Sequence, residues 1–194
     1  MPALIFNIYL NTLEKFEVFK ITYTDIHDLF DEKHIKIRGK YNQLAYEYIK
    51  KISKDFITYR ELPNKDWINA FSIMVNNIKS RSAFIYLEDH KLIKDKNYFK
   101  KILIDFDKLR LDYLCYSWFY SSQIYLNNLL PLSPEHKENL AFLNLNEDKF
   151  SQLKENSGDN FYSFSLCSLV SVKNLKKIIK ELNYSKFYSK YLTI

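Results

Sequence analysis

The chain has 194 residues and a mass of 23.4 kDa, room for about one domain with a sizeable core. With 47% hydrophobic and 27% charged residues it reads as a globular protein, not a disordered one. Only two glycines, Gly39 and Gly158, stand where average usage would give about 14, which excludes a GxGxxG dinucleotide loop and a Walker A loop. The formal net charge of +6 suits a nucleic acid, an anionic membrane face or a phosphorylated ligand without choosing among them. Cys115 and Cys167 lack CxxC spacing, so the usual structural zinc site is excluded, and their apolar neighbours predict buried free thiols. Neither a secretory leader pattern nor an apolar run of membrane-spanning length is present, so the expected location is the cytoplasm.

Ala3 to Leu10 is an apolar run broken by Asn7 and predicts a buried strand. Asn11 and Thr12 offer N-cap chemistry for a helix carrying Leu13, Phe16, Phe19, Ile26, Leu29 and Phe30, although the β-branched stretch 21–24 counts against it. His34 to Arg38 alternates like a strand and ends at Gly39. A helical stripe follows over 41–52, then a short strand over 56–59, a loop over 61–65 and a helix over 66–78. Ser82 to Leu87 predicts a strand that runs into Glu88-Asp89-His90. A helix over 98–109 and a strand over 113–120 come next.

Past Tyr120 the pattern changes. Ser133-Pro134-Glu135 resembles a capped helix start, 144–160 reads as a mobile loop or short helices, 161–172 as a strand, and 174–182 as a basic amphipathic helix. Strand and helix alternate up to Tyr120, which predicts an α/β protein. It should have a mostly parallel sheet with helices on both faces and an irregular C-terminal part. In such sheets ligands sit outside the carboxyl ends of the strands, here Asn11, Arg38 to Tyr41, the loop at Asn64, and Glu88 to His90. Three ionisable residues at such an edge are costly to bury unless paired or metal-bound; with a diphosphate and water they have the donor set for Mn²⁺ or Mg²⁺, and His90 favours Mn²⁺.

The remaining polar residues predict solvent contact first. His27 and His34 read as solvated, and His136 as exposed at a helix N-terminus. The aromatic run 113–120, with Trp118, reads as core before sugar-stacking platform. Lys173, Lys176, Lys177 and Lys180 form a charged helix face, either solvated or set against an anionic membrane.

The ordered spacing resembles a GT-A glycosyltransferase of the large family-two kind. ALIFNIYLN ends at Asn11, HIKIRGKYN stands where that family has an Asp-Asp-Gly-Ser turn, Asn64-Lys65-Asp66 stands for its Asn-Lys-Gly stretch, and SAFIYLEDH ends in Glu88-Asp89-His90 where the family has its DXD motif. FYSFSLCSLVSVKNLKKI resembles the family's next strand and helix. The resemblance implies one GT-A-like, Rossmann-like domain over 1–194, with a nucleotide-sugar-binding half over 1–90 and a possibly truncated acceptor half over 91–194. It implies nucleotide-sugar contacts at Asn11, Arg38, Lys65, Glu88 and Asp89, and a divalent metal at Asp89 and His90. The implied partners are a nucleotide-sugar donor and a saccharide or lipid-linked acceptor, in polysaccharide or glycolipid synthesis, with possible contact at the inner membrane face. No catalytic base is singled out among Glu135, Glu138, Glu147, Asp148, Glu155 and Asp159. Arg38 and Gly39 replace acidic residues that hold uridine and ribose. That departure leaves open a non-catalytic, degenerate nucleotide-sugar-binding member of the fold. A basic nucleic-acid-binding module is the third reading.

Overall fold

The computed structural model describes residues 1–60, 67–86, 95–115, 130–157 and 168–184. Strand β1 (Ala3–Tyr9) leads into helix α1 (Leu13–Ile26), and β2 (Lys33–Arg38) into α2 (Asn42–Ile52). The short β3 (Ile57–Thr58), α3 (Trp67–Asn76), β4 (Ser82–Tyr86), α4 (Lys96–Lys108) and β5 (Tyr113–Cys115) complete the expected alternation. A hairpin of β6 (Glu135–Lys137) and β7 (Leu140–Phe142), helix α5 (Glu147–Ser157), strand β8 (Ser168–Ser171) and helix α6 (Val172–Tyr184) follow.

Among the described residues, six strands form one sheet in the order β3-β2-β1-β4-β8-β5. β1 pairs in parallel with both β2 and β4, and β2 with β3, whereas β8 runs antiparallel to β4 and β5. The protein is thus α/β with a mostly parallel sheet. Alternate residues of each strand point to opposite faces. Leu4, Phe6, Ile8, Ile35, Ile37 and Phe84 meet α1, α2 and α4 on one face. Ala3, Ile5, Ala83, Ile85 and Val170 meet α3 and α6 on the other. Helices cover both faces, so β1 is buried on both sides and is apolar but for Asn7 and its exposed end at Tyr9. Aromatic rings knit the first core: Phe6 lies edge-to-face 5.7 Å from both Tyr23 and Tyr86, and Phe84 is tilted 5.1 Å from Phe99.

Helix α1 runs unbroken through Ile21–Thr24. Phe16, Phe19, Tyr23 and Ile26 bury one face, and that packing outweighs the weak propensity of β-branched residues. Both ends of α4 are tied to the amino side of the sheet. Lys96 pairs with Asp28, and Asp107 with Ser82 and the Met1 amino group.

Several expectations for the later part are corrected. Ser133-Pro134-Glu135 begins no helix: Ser133 is left-handed with φ 51° and delivers the chain into the β6–β7 hairpin, whose turn puts Glu138 at φ 55°. His136 is exposed as expected, but on a strand. Residues 147–157 form one helix, with Asn146 Oδ1 accepting from the Lys149 N–H at 2.9 Å. Of the strand expected over 161–172 the described part is Ser168–Ser171, and Val172 already begins α6. The described part of the chain after α4 holds regular elements, and it returns a strand to the main sheet. Residues 116–120 with Trp118, and Cys167, lie outside the described residues.

Candidate functional site

The strands on either side of β1 mark where the sheet changes direction. From β1 the chain moves outward to β2 and β3, then returns past β1 to β4. The edge beyond the carboxyl ends of β1 and β4 is the topological switch point, where α/β sheets take their ligands.

On the β1 side this edge is built by a latch between two turns. The Leu10 N–H donates to the Arg38 carbonyl at 2.9 Å, and the Tyr41 N–H donates to the Leu10 carbonyl at 3.1 Å. Gly39 sits between them with φ 93°. Asn11 is exposed on the adjoining turn, and Thr12 caps α1 by accepting from the Lys15 N–H at 3.2 Å. Arg38 is half-buried and lies directly across from Tyr9, its guanidinium 5.8 Å from the centre of that exposed ring. The structure therefore brings Asn11 and Arg38 to one edge. Lys65, Glu88, Asp89 and His90 lie outside the described residues.

Two further cations gather at the β2 end that the sequence reading passed over. Lys36 is 1% exposed, and its Nζ donates to the Arg60 carbonyl at 3.4 Å. Arg60 lies 4.6 Å from the centre of the Tyr46 ring and donates to the Gln43 side-chain carbonyl. The Tyr46 hydroxyl in turn accepts from the Ile37 N–H at 2.9 Å. β3 has only two residues, too short to pair with Ile37, so a tyrosine fills that bond instead. The available signal was the alternation of His34, Lys36 and Arg38. In a strand covered on both faces its polar half must be buried as well.

His34 is the clearest correction. It is fully buried, not solvated. Its Nδ1 lies 2.6 Å from the Tyr59 hydroxyl, and its Nε2 2.8 Å from Glu32 Oε1. Glu32 also accepts from the Lys79 N–H, the Ser80 N–H and the Ser80 hydroxyl at 2.8, 2.8 and 2.6 Å. Burial alone would raise the Glu32 pKa. The bonds from Ser80, His34 and the two backbone amides outweigh burial and hold the carboxyl down at about 2. This network lies at the amino end of β2, roughly 13 Å along the strand from Arg38. It ties β2 to the turn before β4 and takes no part in the carboxyl edge.

His27 is partly buried, stacked 5.5 Å from Tyr23, and burial lowers its pKa. Among the acids considered as a base, Glu138 is held by Lys108 at 2.7 Å, near the end of α4 that Asp107 ties to the amino side. Glu135 accepts from Asn144 at 2.6 Å, and Glu147, Asp148 and Glu155 are exposed on α5. Asp159 lies outside the described residues. No group of three His, Cys, Asp or Glu side chains able to hold a metal occurs among the described residues, and no described helix is long and apolar enough to cross a membrane. No protein-family model matches the chain, and no characterised protein or solved structure matches it.

Proposed function

We propose that the protein is a GT-A-like glycosyltransferase that moves a sugar from a nucleoside diphosphate to a hydroxyl acceptor. The observation that carries this reading is the switch point between β1 and β4. One lip holds Asn11 and Arg38, and the other strand leads in sequence directly to Glu88-Asp89-His90. The cations at the β2 end, Lys36, Arg38 and Arg60, add positive charge beside that edge, which favours a diphosphate.

In this reading Asn11, Arg38, Lys65, Glu88 and Asp89 contact the nucleotide sugar. Asp89 and His90 hold the divalent metal, with Mn²⁺ preferred because of the imidazole. When bound, the metal supplies charge neutralisation for the leaving diphosphate. The acceptor oxygen bonds to the sugar carbon as the bond to the diphosphate oxygen breaks. A carboxylate on the acceptor side takes the hydroxyl proton. The work is assigned to the cytoplasm, on a saccharide or lipid-linked acceptor.

Thermal melts with UDP, GDP and CMP, and with their sugar conjugates, each with and without Mn²⁺, test this reading. A ligand at about a hundred times its Kd adds roughly 2.7 kcal/mol, several degrees for a chain of this length. One nucleotide should shift the melt in a Mn²⁺-dependent way, and Asp89→Asn and His90→Ala should abolish the shift while leaving the unliganded melt in place. Unchanged binding in both variants would sink the assignment. A specific shift without turnover on a broad acceptor panel would favour the non-catalytic reading, which the arginine at position 38 already motivates.

A further inference from the structure

The outer layer over the second face of the sheet sets a lysine-rich helix beside an uncharged one. It consists of α3 and α6, which lie side by side, with Lys176 Nζ donating to the Asn76 carbonyl at 3.5 Å. Helix α3 reads WINAFSIMVN and carries no charge at all. Helix α6 has four lysines against one glutamate, a net +3 within a chain whose total is +6. Lys173, Lys177 and Lys180 recur at helical spacing and are all exposed. No ion pair joins them to another described residue. Ile178 stands among them at 37% exposed, while Phe71 and Ile73 of α3 are only half-buried. The opposite layer mixes its signs, with Glu14, Lys15, Glu17 and Lys20 succeeding one another on α1.

We propose that the α3–α6 layer docks on an anionic lipid bilayer. A stripe of lysines that make no ion pair among the described residues, beside an uncharged, partly apolar helix, has the chemistry of a membrane-surface contact. The lysines meet anionic headgroups, and exposed Ile178 meets the interface. A single-stranded nucleic acid needs exposed aromatic rings between its cations, and Phe71, the one ring among the described side chains of this layer, is half-buried against the core. The inference is independent of the glycosyltransferase reading.

The test is flotation of the full chain with vesicles of phosphatidylcholine alone and of equal parts phosphatidylcholine and phosphatidylglycerol. The wild type should float with the anionic vesicles only, and added salt should release it. Each lysine near an anionic surface contributes about fivefold in partitioning, so Lys173→Glu/Lys177→Glu/Lys180→Glu should weaken binding by about a hundredfold or more. The control is Lys50→Glu/Lys51→Glu/Lys100→Glu, exposed lysines of the opposite layer that change the net charge by the same amount. It should retain most of the binding. Circular dichroism melts establish that both triple variants fold. The proposal is overturned if the wild type fails to float with anionic vesicles at low salt, or if the control loses as much binding as the α6 variant. It also falls if a single-stranded oligonucleotide binds through the same three lysines and displaces the protein from the vesicles.

Discussion

The backbone of Gly39 passes so close to Leu10 that a Cβ at position 39 would stand 2.4 Å from the Leu10 carbonyl oxygen. That oxygen has little freedom to withdraw, because it accepts from Tyr41 while the Leu10 amide donates to Arg38. The φ of 93° adds strain for any residue with a side chain. Gly39→Ala should therefore destabilise the fold by about 1–3 kcal/mol, and each kcal/mol should lower the melting temperature by roughly 2–4 °C. A melt coincident with wild type would show that the latch between the two turns can slip.

Glu32 gives a pH signature at the other end of β2. Its carboxyl is held at about 2 in the fold against an ordinary value of 4.5. A depressed carboxylate pKa contributes stability that is fully present above the unfolded value and fades as pH falls towards the folded one. Glu32→Ala should cost about 1–3 kcal/mol at neutral pH, since it strips a partner from buried His34 and from the Lys79 and Ser80 amides. The gap between wild type and variant should narrow as pH drops from 4.5 to about 2. Urea titrations across that range check this, and a gap that stays constant with pH contradicts the network.

Tyr46 joins the core to the β2 edge. Its ring packs beneath α2 and its hydroxyl takes the Ile37 N–H. Tyr46→Phe keeps the ring and orphans that buried amide, at a cost of about 1–3 kcal/mol. Amide exchange at Ile37 should accelerate far more than at Ile35, whose strand neighbours are untouched. Equal protection at the two positions would mean that another acceptor replaces the hydroxyl.

The alternating half of the fold was legible because its signals are local. β1, β2 and β4 are short apolar or alternating runs, and the helices between them carry stripes at helical spacing. β8 was not legible as the reversed strand beside β4. Its four residues pair with partners more than eighty positions away, and no local pattern encodes that register. Ser133-Pro134-Glu135 has the composition of a helix start, yet tertiary pairing of Glu135 with Phe142 decides for a hairpin. At the site, Asn11 and Arg38 followed from the rule that ligands lie beyond the carboxyl ends of parallel strands. Lys36 and His34 were hidden because a polar residue in an alternating run reads as solvent-facing until both faces are known to be covered. Arg60 comes to the edge through tertiary contacts with Tyr46 and Gln43 that no local pattern encodes.

Arg38 separates a binding edge from a merely packed one. Its guanidinium is half-buried over Tyr9, at the lip of the switch point. A charge-assisted hydrogen bond to a phosphate contributes about 1.5–3 kcal/mol, so its loss should weaken a nucleoside diphosphate by roughly 10- to 150-fold. Arg38→Met keeps much of the stem against Tyr9 and removes the charge, so it should act on affinity more than on the unliganded melt. Calorimetric titration at two salt concentrations measures both the loss and its ionic share, because losing a contact to phosphate also flattens the salt dependence of the remaining affinity. Lys51→Met, on the exposed side of α2 and away from that edge, should leave affinity within about twofold. If Arg38→Met lowers the melt and leaves affinity intact, the guanidinium supports the β2 edge and the phosphate contact belongs to other residues. If affinity falls while the melt holds, the arginine where the GT-A resemblance expects an acidic residue is itself the ligand contact.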